Sequence, residues 1–81
     1  MMRNVERNCA MFVAVANGAS FEQAGRAAGL SGARARQVTM RLARILAYRR
    51  QQPMPYHVAE IRSDRHAYIA AAREFAKMPR A

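Results

Sequence analysis

Apolar residues recur along this chain with helical spacing, in blocks separated by glycine, serine and proline. Val5, Cys9, Phe12, Val13 and Ala16 stand at i, i+4, i+7, i+8 and i+11, which lines one face of a helix over about residues 4–17. Gly18 ends it, because a residue without Cβ enters the left-handed cap conformation without penalty. Ser20 opens the next helix, over residues 21–28, and with Gln23 forms a capping box that satisfies two orphan backbone donors. Gly29 and Leu30 make a turn, and Ser31 is the N-cap of a third helix.

No breaker follows until Pro53, so the third helix is predicted over residues 32–50, about 28 Å long. Its core stripe is Ala35, Val38, Leu42, Ile45 and Leu46, and Ala33, Arg36, Gln37, Met40 and Arg44 lie on the opposite face. Gln51 to Tyr56, with Pro53 and Pro55, cannot continue a helix and reads as a linker. A short turn over residues 58–62 leads to a final helix over 63–78, capped by Ser63 or Asp64, with Tyr68, Ile69, Ala72, Phe75 and Ala76 on one face. No segment alternates with period two and nothing repeats. The expectation is one all-α domain over residues 1–81, with four or five helices and a central helix-turn-helix.

Charge sharpens that picture. The formal net charge is +9, carried by thirteen arginines and one lysine against five acids. From Gln23 through Ala59 there is no Asp or Glu, while Arg26, Arg34, Arg36, Arg41, Arg44, Arg49 and Arg50 all fall inside that window. A two-helix unit on an uninterrupted positive field is the electrostatic footprint of a nucleic-acid binder, and arginine's planar fork suits phosphate and guanine edges. An apolar fraction of 52% excludes a disordered basic tail. Much of that fraction is alanine and methionine, and a domain this small buries only roughly 60% of its unfolded surface. The Tyr68, Ile69, Ala72 and Phe75 stripe is larger than such a core can cover, so it is expected to form a homodimer interface.

Other chemistries find little purchase. Cys9 is the only cysteine and, with His57 and His66 at unrelated spacing, gives neither a disulfide nor a metal site. Cys9 reads as a small buried hydrophobe and the histidines as surface or loop residues. No nucleophile–base pair or carboxylate pair appears, so neither an enzyme nor a cofactor is expected. The apolar run from Cys9 to Ala16 is too short to span a bilayer and lacks the pattern of a signal peptide. A cytoplasmic location in a bacterial or phage setting, with no membrane partner, follows as the expectation.

A helix-turn-helix needs small residues where its helices cross, and Ala24, Gly25 and Ala28 supply them, with Leu30, Ala35 and Val38 as apolar anchors. The stretch resembles the promoter-binding C-terminal domain (region 4) of bacterial sigma factors. Phe21-Glu22-Gln23-Ala24-Gly25 is similar to that family's Leu-Glu-Glu-Val-Gly opening, and Ser31 stands where the family has a capping threonine. Arg34 and then Arg36-Gln37-Val38 resemble its Arg-Ile-Arg-Gln-Ile core, and the likeness fades through Leu42 to Leu46. It implies that Arg36 and Gln37 face the major groove and that Ser31 lies near phosphate. Gly32-Ala33 replace the family's base-reading Arg-Glu pair, and the other sigma regions are absent. A stand-alone repressor or activator with this reading head is therefore expected.

On that reading Arg36, Gln37, Ala33 and Met40 meet base edges, Met40 through a thymine methyl unless it packs on the surface or in a dimer. Ser31, Arg26, Arg34, Arg41 and Arg44 meet phosphates, the commoner kind of protein–DNA contact. Arg49 and Arg50 end the third helix favourably against its dipole. The partners are then double-stranded DNA and a second copy on an inverted repeat. Different classes remain open: a phage-type interaction module that engages RNA polymerase or a host regulator through the C-terminal helix, an RNA binder, or an ordinary helical hairpin. Tyr56, Tyr68 and Phe75 suit either a stacking platform for single strands or core and dimer packing.

Overall fold

Ser20 and Ser31 start their helices by holding free backbone donors. Ser20 Oγ accepts from the Gln23 N–H at 3.0 Å while Gln23 Oε1 accepts from the Ser20 N–H at 2.9 Å. Ser31 Oγ accepts from the Arg34 N–H at 3.1 Å. The computed structural model describes residues 4–79, and over these the protein is all-α: α1 (Val5–Ala16), α2 (Phe21–Ala27), α3 (Gly32–Arg49), α4 (Val58–Ser63) and α5 (Arg65–Lys77). Gly18 and Gly29 adopt φ of +110° and +74° in the first two connections, where a side chain would be strained.

Residues 58–62, read from sequence as a turn, belong to a true helix. Glu60 Oε1 accepts from the N–H groups of Tyr56 and His57, both at 3.1 Å, and so closes the start of α4. Ser63 and Asp64 do stand at the α4–α5 junction, but neither side chain caps α5. Ser63 Oγ donates back to the Glu60 carbonyl at 3.0 Å, and Asp64 is drawn to Arg50, its Oδ2 lying 3.1 Å from Nη2.

α1 packs against each of the other four helices. One side carries Cys9, Phe12 and Ala16 into a cluster with Leu42, Ala43, Leu46, Ile61, Tyr68 and Ala72. The Phe12 and Tyr68 rings meet there with centroids 5.9 Å apart, tilted by 52°. The other side carries Met11 and Val15 into a second cluster with Ala24, Ala35 and Val38. Each large side chain buried this way stabilises the fold by about 1.5–3 kcal/mol. Thr39 is fully buried as well, its Oγ1 unpartnered among the described residues, a cost of about 1–3 kcal/mol.

Two tertiary contacts tie the periphery to this frame. Arg62 of α4 donates from Nε to the Val15 carbonyl and from Nη2 to the Ala19 carbonyl, both at 3.0 Å, and so closes the C-terminal end of α1. Arg50 stacks over the Tyr68 ring with its guanidinium carbon 4.9 Å from the centroid. Arg49 lies 5.6 Å from the Phe75 centroid. These two arginines do more than end α3 against its dipole: they clamp α5 onto it.

α2 and α3 meet almost backbone to backbone. A Cβ on Gly25 would fall 2.9 Å from the carbonyl oxygens of both Leu30 and Ser31, and 3.0 Å from Ala35 Cβ. The Leu30 N–H donates to the Gly25 carbonyl at 2.7 Å. Gly25→Ala should therefore destabilise the protein by about 1–3 kcal/mol, since the clash is with main chain that cannot rotate away. Urea denaturation checks this, and an unchanged midpoint would mean that the corner has slack.

Burial pushes the Tyr68 hydroxyl above its ordinary value of 10.0; the nearby Arg50 charge opposes the shift, and Asp64 and Glu60 add to it. The unfolded chain thus ionises Tyr68 first. Its contribution to stability is complete below pH 10 and declines as pH rises toward the folded value. Melting temperatures from pH 9 to 11.5 should fall, and Tyr68→Phe should flatten that fall without lowering stability at pH 7.

Candidate nucleic-acid interface

α3 has 18 residues and so a length of about 27 Å. At about 100° per residue, Ala33, Gln37, Arg41, Arg44 and Tyr48 fall within an arc of about 80°. All five are exposed, and Arg34, also exposed, borders the strip. The strip runs the length of the helix, and α3 contains no acid. Arg34 Nη1 donates to Gln37 Oε1 at 3.3 Å and steadies the amide at the strip's centre. Among the described residues the side chains of Arg26, Arg36, Arg41 and Arg44 have no hydrogen-bond or ion-pair partner, so their charge is not neutralised locally.

Three expectations need correcting. Met40 does not join the exposed face: it is 8% exposed and packs in the cluster around Phe12 and Leu46. The reason is that α1 and α5 cover a wider arc of α3 than its stripe of large aliphatic residues suggested. Arg36 is exposed but does not share the centre with Gln37. It lies about 60° beyond Ala33, on the side where Met40 and Ala43, one and two turns later, are buried.

The third correction concerns the expected dimer stripe. Tyr68 and Ile69 are buried and Ala72 is fully so, against α1 and α3 of the same chain, while Phe75 is half-buried beneath Arg49. The alanine-rich core covers this stripe because small residues allow close helix approach. The stacking-platform role for Tyr68 and Phe75 goes with it; Tyr56 alone of the three stays 72% exposed.

The remaining residues are placed as follows. Arg26 is exposed in the last turn of α2. Ser31 is exposed, with its oxygen already accepting from the Arg34 N–H. Beside it, Glu22 Cγ lies 2.8 Å from where a Gly32 Cβ would stand, so an acidic side chain overlies the first residue of α3. That carboxylate complements the positive end of the helix and competes with a phosphate there. Cys9 is a buried core residue, and His57 and His66 are exposed. Tyr48 was not anticipated, although its i+11 spacing from Gln37 is legible in the sequence.

No family model, curated protein or solved structure matches this chain. Among the described residues, no helix is long and apolar enough to cross a membrane.

With the α5 stripe inside the fold, Ala72→Asp should unfold the protein rather than separate two subunits. A buried unpaired carboxylate in a packed site costs at least about 3 kcal/mol. Circular dichroism should record lost helicity and lost cooperative melting. A folded Ala72→Asp variant that light scattering shows to have changed from dimer to monomer would restore the stripe as an interface.

Proposed function

We propose that this protein binds double-stranded DNA through α3 in the major groove and acts as a sequence-specific transcriptional regulator. The observation that carries this reading is the solvent-facing strip of α3, acid-free and bearing Arg34, Gln37, Arg41 and Arg44 with unneutralised guanidinium groups. A rigid helix of this length, held at a tight corner by α2, suits insertion of its N-terminal turns into a groove. The resemblance of residues 21–46 to sigma region 4 points the same way.

Within this reading Gln37 and Ala33 face base edges, since they centre the N-terminal half of the strip. Gln37 suits hydrogen bonding in the major groove, where each base pair presents its own donor and acceptor pattern. Arg34, Arg41 and Arg44 flank the groove and meet phosphates, joined by Arg26 from α2 and Arg36 from the margin. Each copy carries one reading helix, and the reading needs no dimer through α5.

The test begins by selecting a preferred duplex from random sequence and titrating salt against it and a scrambled duplex. Gln37→Ala should cost about 1–3 kcal/mol on the selected site and much less on the scrambled one. Arg41→Ala should weaken both alike and flatten the salt dependence by about one counterion. Failure to bind any duplex at low salt would overturn the reading, and equal losses for Gln37→Ala on both duplexes would overturn the assignment of Gln37.

A further inference from the structure

The largest exposed apolar side chains among the described residues, Tyr48 at 69%, Met54 at 43% and Tyr56 at 72%, all lie at the C-terminal end of α3 and in the linker after it. Tyr48 and Met54 line a shallow groove of about 360 Å³ together with Ile45, Phe75, Arg44 and Arg49. Its floor is apolar and its two charged members are both arginines. We propose that this groove is a docking site for an acidic amphipathic helix of a partner protein, with apolar anchors over Ile45, Met54 and Phe75 and carboxylates facing Arg44 and Arg49.

Charge complementarity selects that occupant. A helix laid in an apolar groove presents anchors at i, i+3 or i+4, and i+7, and places its remaining residues against the rim. Here the rim offers two guanidinium groups. Arg49 is preoriented by its stacking on Phe75, 5.6 Å from the ring centroid, and by donation from Nη2 to Met78 Sδ at 3.1 Å. A second copy of this chain is a poor occupant, because no described helix carries more than one acid and the chain's net charge is +9. Of its five acids, Asp64 is paired with Arg50 and Glu60 closes the start of α4. A nucleic acid fits the rim but not the floor: Arg44, Tyr48 and Arg49 carry donors, whereas Ile45, Met54 and Phe75 give a base edge no hydrogen-bond partner. The groove shares Arg44 and Tyr48 with the proposed DNA-facing strip, whereas Ile45, Met54 and Phe75 belong to the groove alone.

The probe is a synthetic helical peptide of about 20 residues with leucine and phenylalanine anchors and a glutamate-rich rim, compared with the same peptide carrying lysine in place of glutamate. Fluorescence anisotropy and the Met54 methyl resonance report binding. The acidic peptide should bind and shift that methyl, while the lysine version should not. Met54→Glu, at an exposed position, should keep the native melting curve and lose at least about tenfold in peptide affinity. The proposal is overturned if the acidic peptide does not bind, if Met54→Glu leaves its affinity unchanged, if a single-stranded oligonucleotide shifts the methyl instead, or if light scattering finds a dimer that Met54→Glu dissolves.

Discussion

The fold depends on α1 being buried on two sides at once. Phe12 and Val15, three residues apart and both without exposed surface, serve different clusters: Phe12 meets α3, α4 and α5, while Val15 meets α2 and α3. In a domain of this size the apolar surface available is limited, and a central two-faced helix lets small residues count twice. Arg62 adds to this by binding the last carbonyls of α1 from α4, which fixes the short fourth helix without a large hydrophobic face of its own. Removing α1 would leave α2 and α3 joined to α4 and α5 only through the side of α3 that carries Leu42, Leu46, Arg49 and Arg50.

The close contact at Gly25 follows from the same economy of side chains. Because α2 has only seven residues, its hold on α3 comes from backbone proximity at Gly25 and from Ala24 in one cluster with Ala35 and Val38, more than from aliphatic bulk. The consequence for function is geometric. A tight corner fixes the direction of α3, and an α3 fixed along its whole buried side projects Ala33, Gln37, Arg41 and Arg44 in one line. The C-terminal half of the same helix then carries Tyr48 and Arg49 toward the linker, so the arginine-lined strip runs at Arg44 and Tyr48 into an apolar groove.

How far this could be read in advance differs by feature. Helix ends were legible because they are written in local chemistry: Ser20 with Gln23, Ser31, Gly18, Gly29 and the two linker prolines each act within a few residues. The crossing residue Gly25 was legible for a similar reason, since a glycine beside Ala24 and one turn from Ala28 in a short helix marks close approach. The role of Arg62 was not, because its carbonyl partners on Val15 and Ala19 lie far away in sequence. The same holds for Arg50, whose pairing with Asp64 and stacking on Tyr68 join segments separated by the linker.

By itself, then, the sequence determined an all-α chain, the serine caps and glycine turns around a helix-turn-helix, and a long acid-free helix rich in arginine. Those properties arise from backbone hydrogen bonding, side-chain periodicity and composition, all of which operate over one or two turns. Which arc of α3 faces water was decided only by tertiary packing, because Met40 and Arg36 differ by one helical turn yet only one lies beneath α1 and α5. The fate of the Tyr68, Ile69 and Ala72 stripe was decided there too. Periodicity can identify an apolar face, but only the assembled helices determine whether another part of the same chain already covers it.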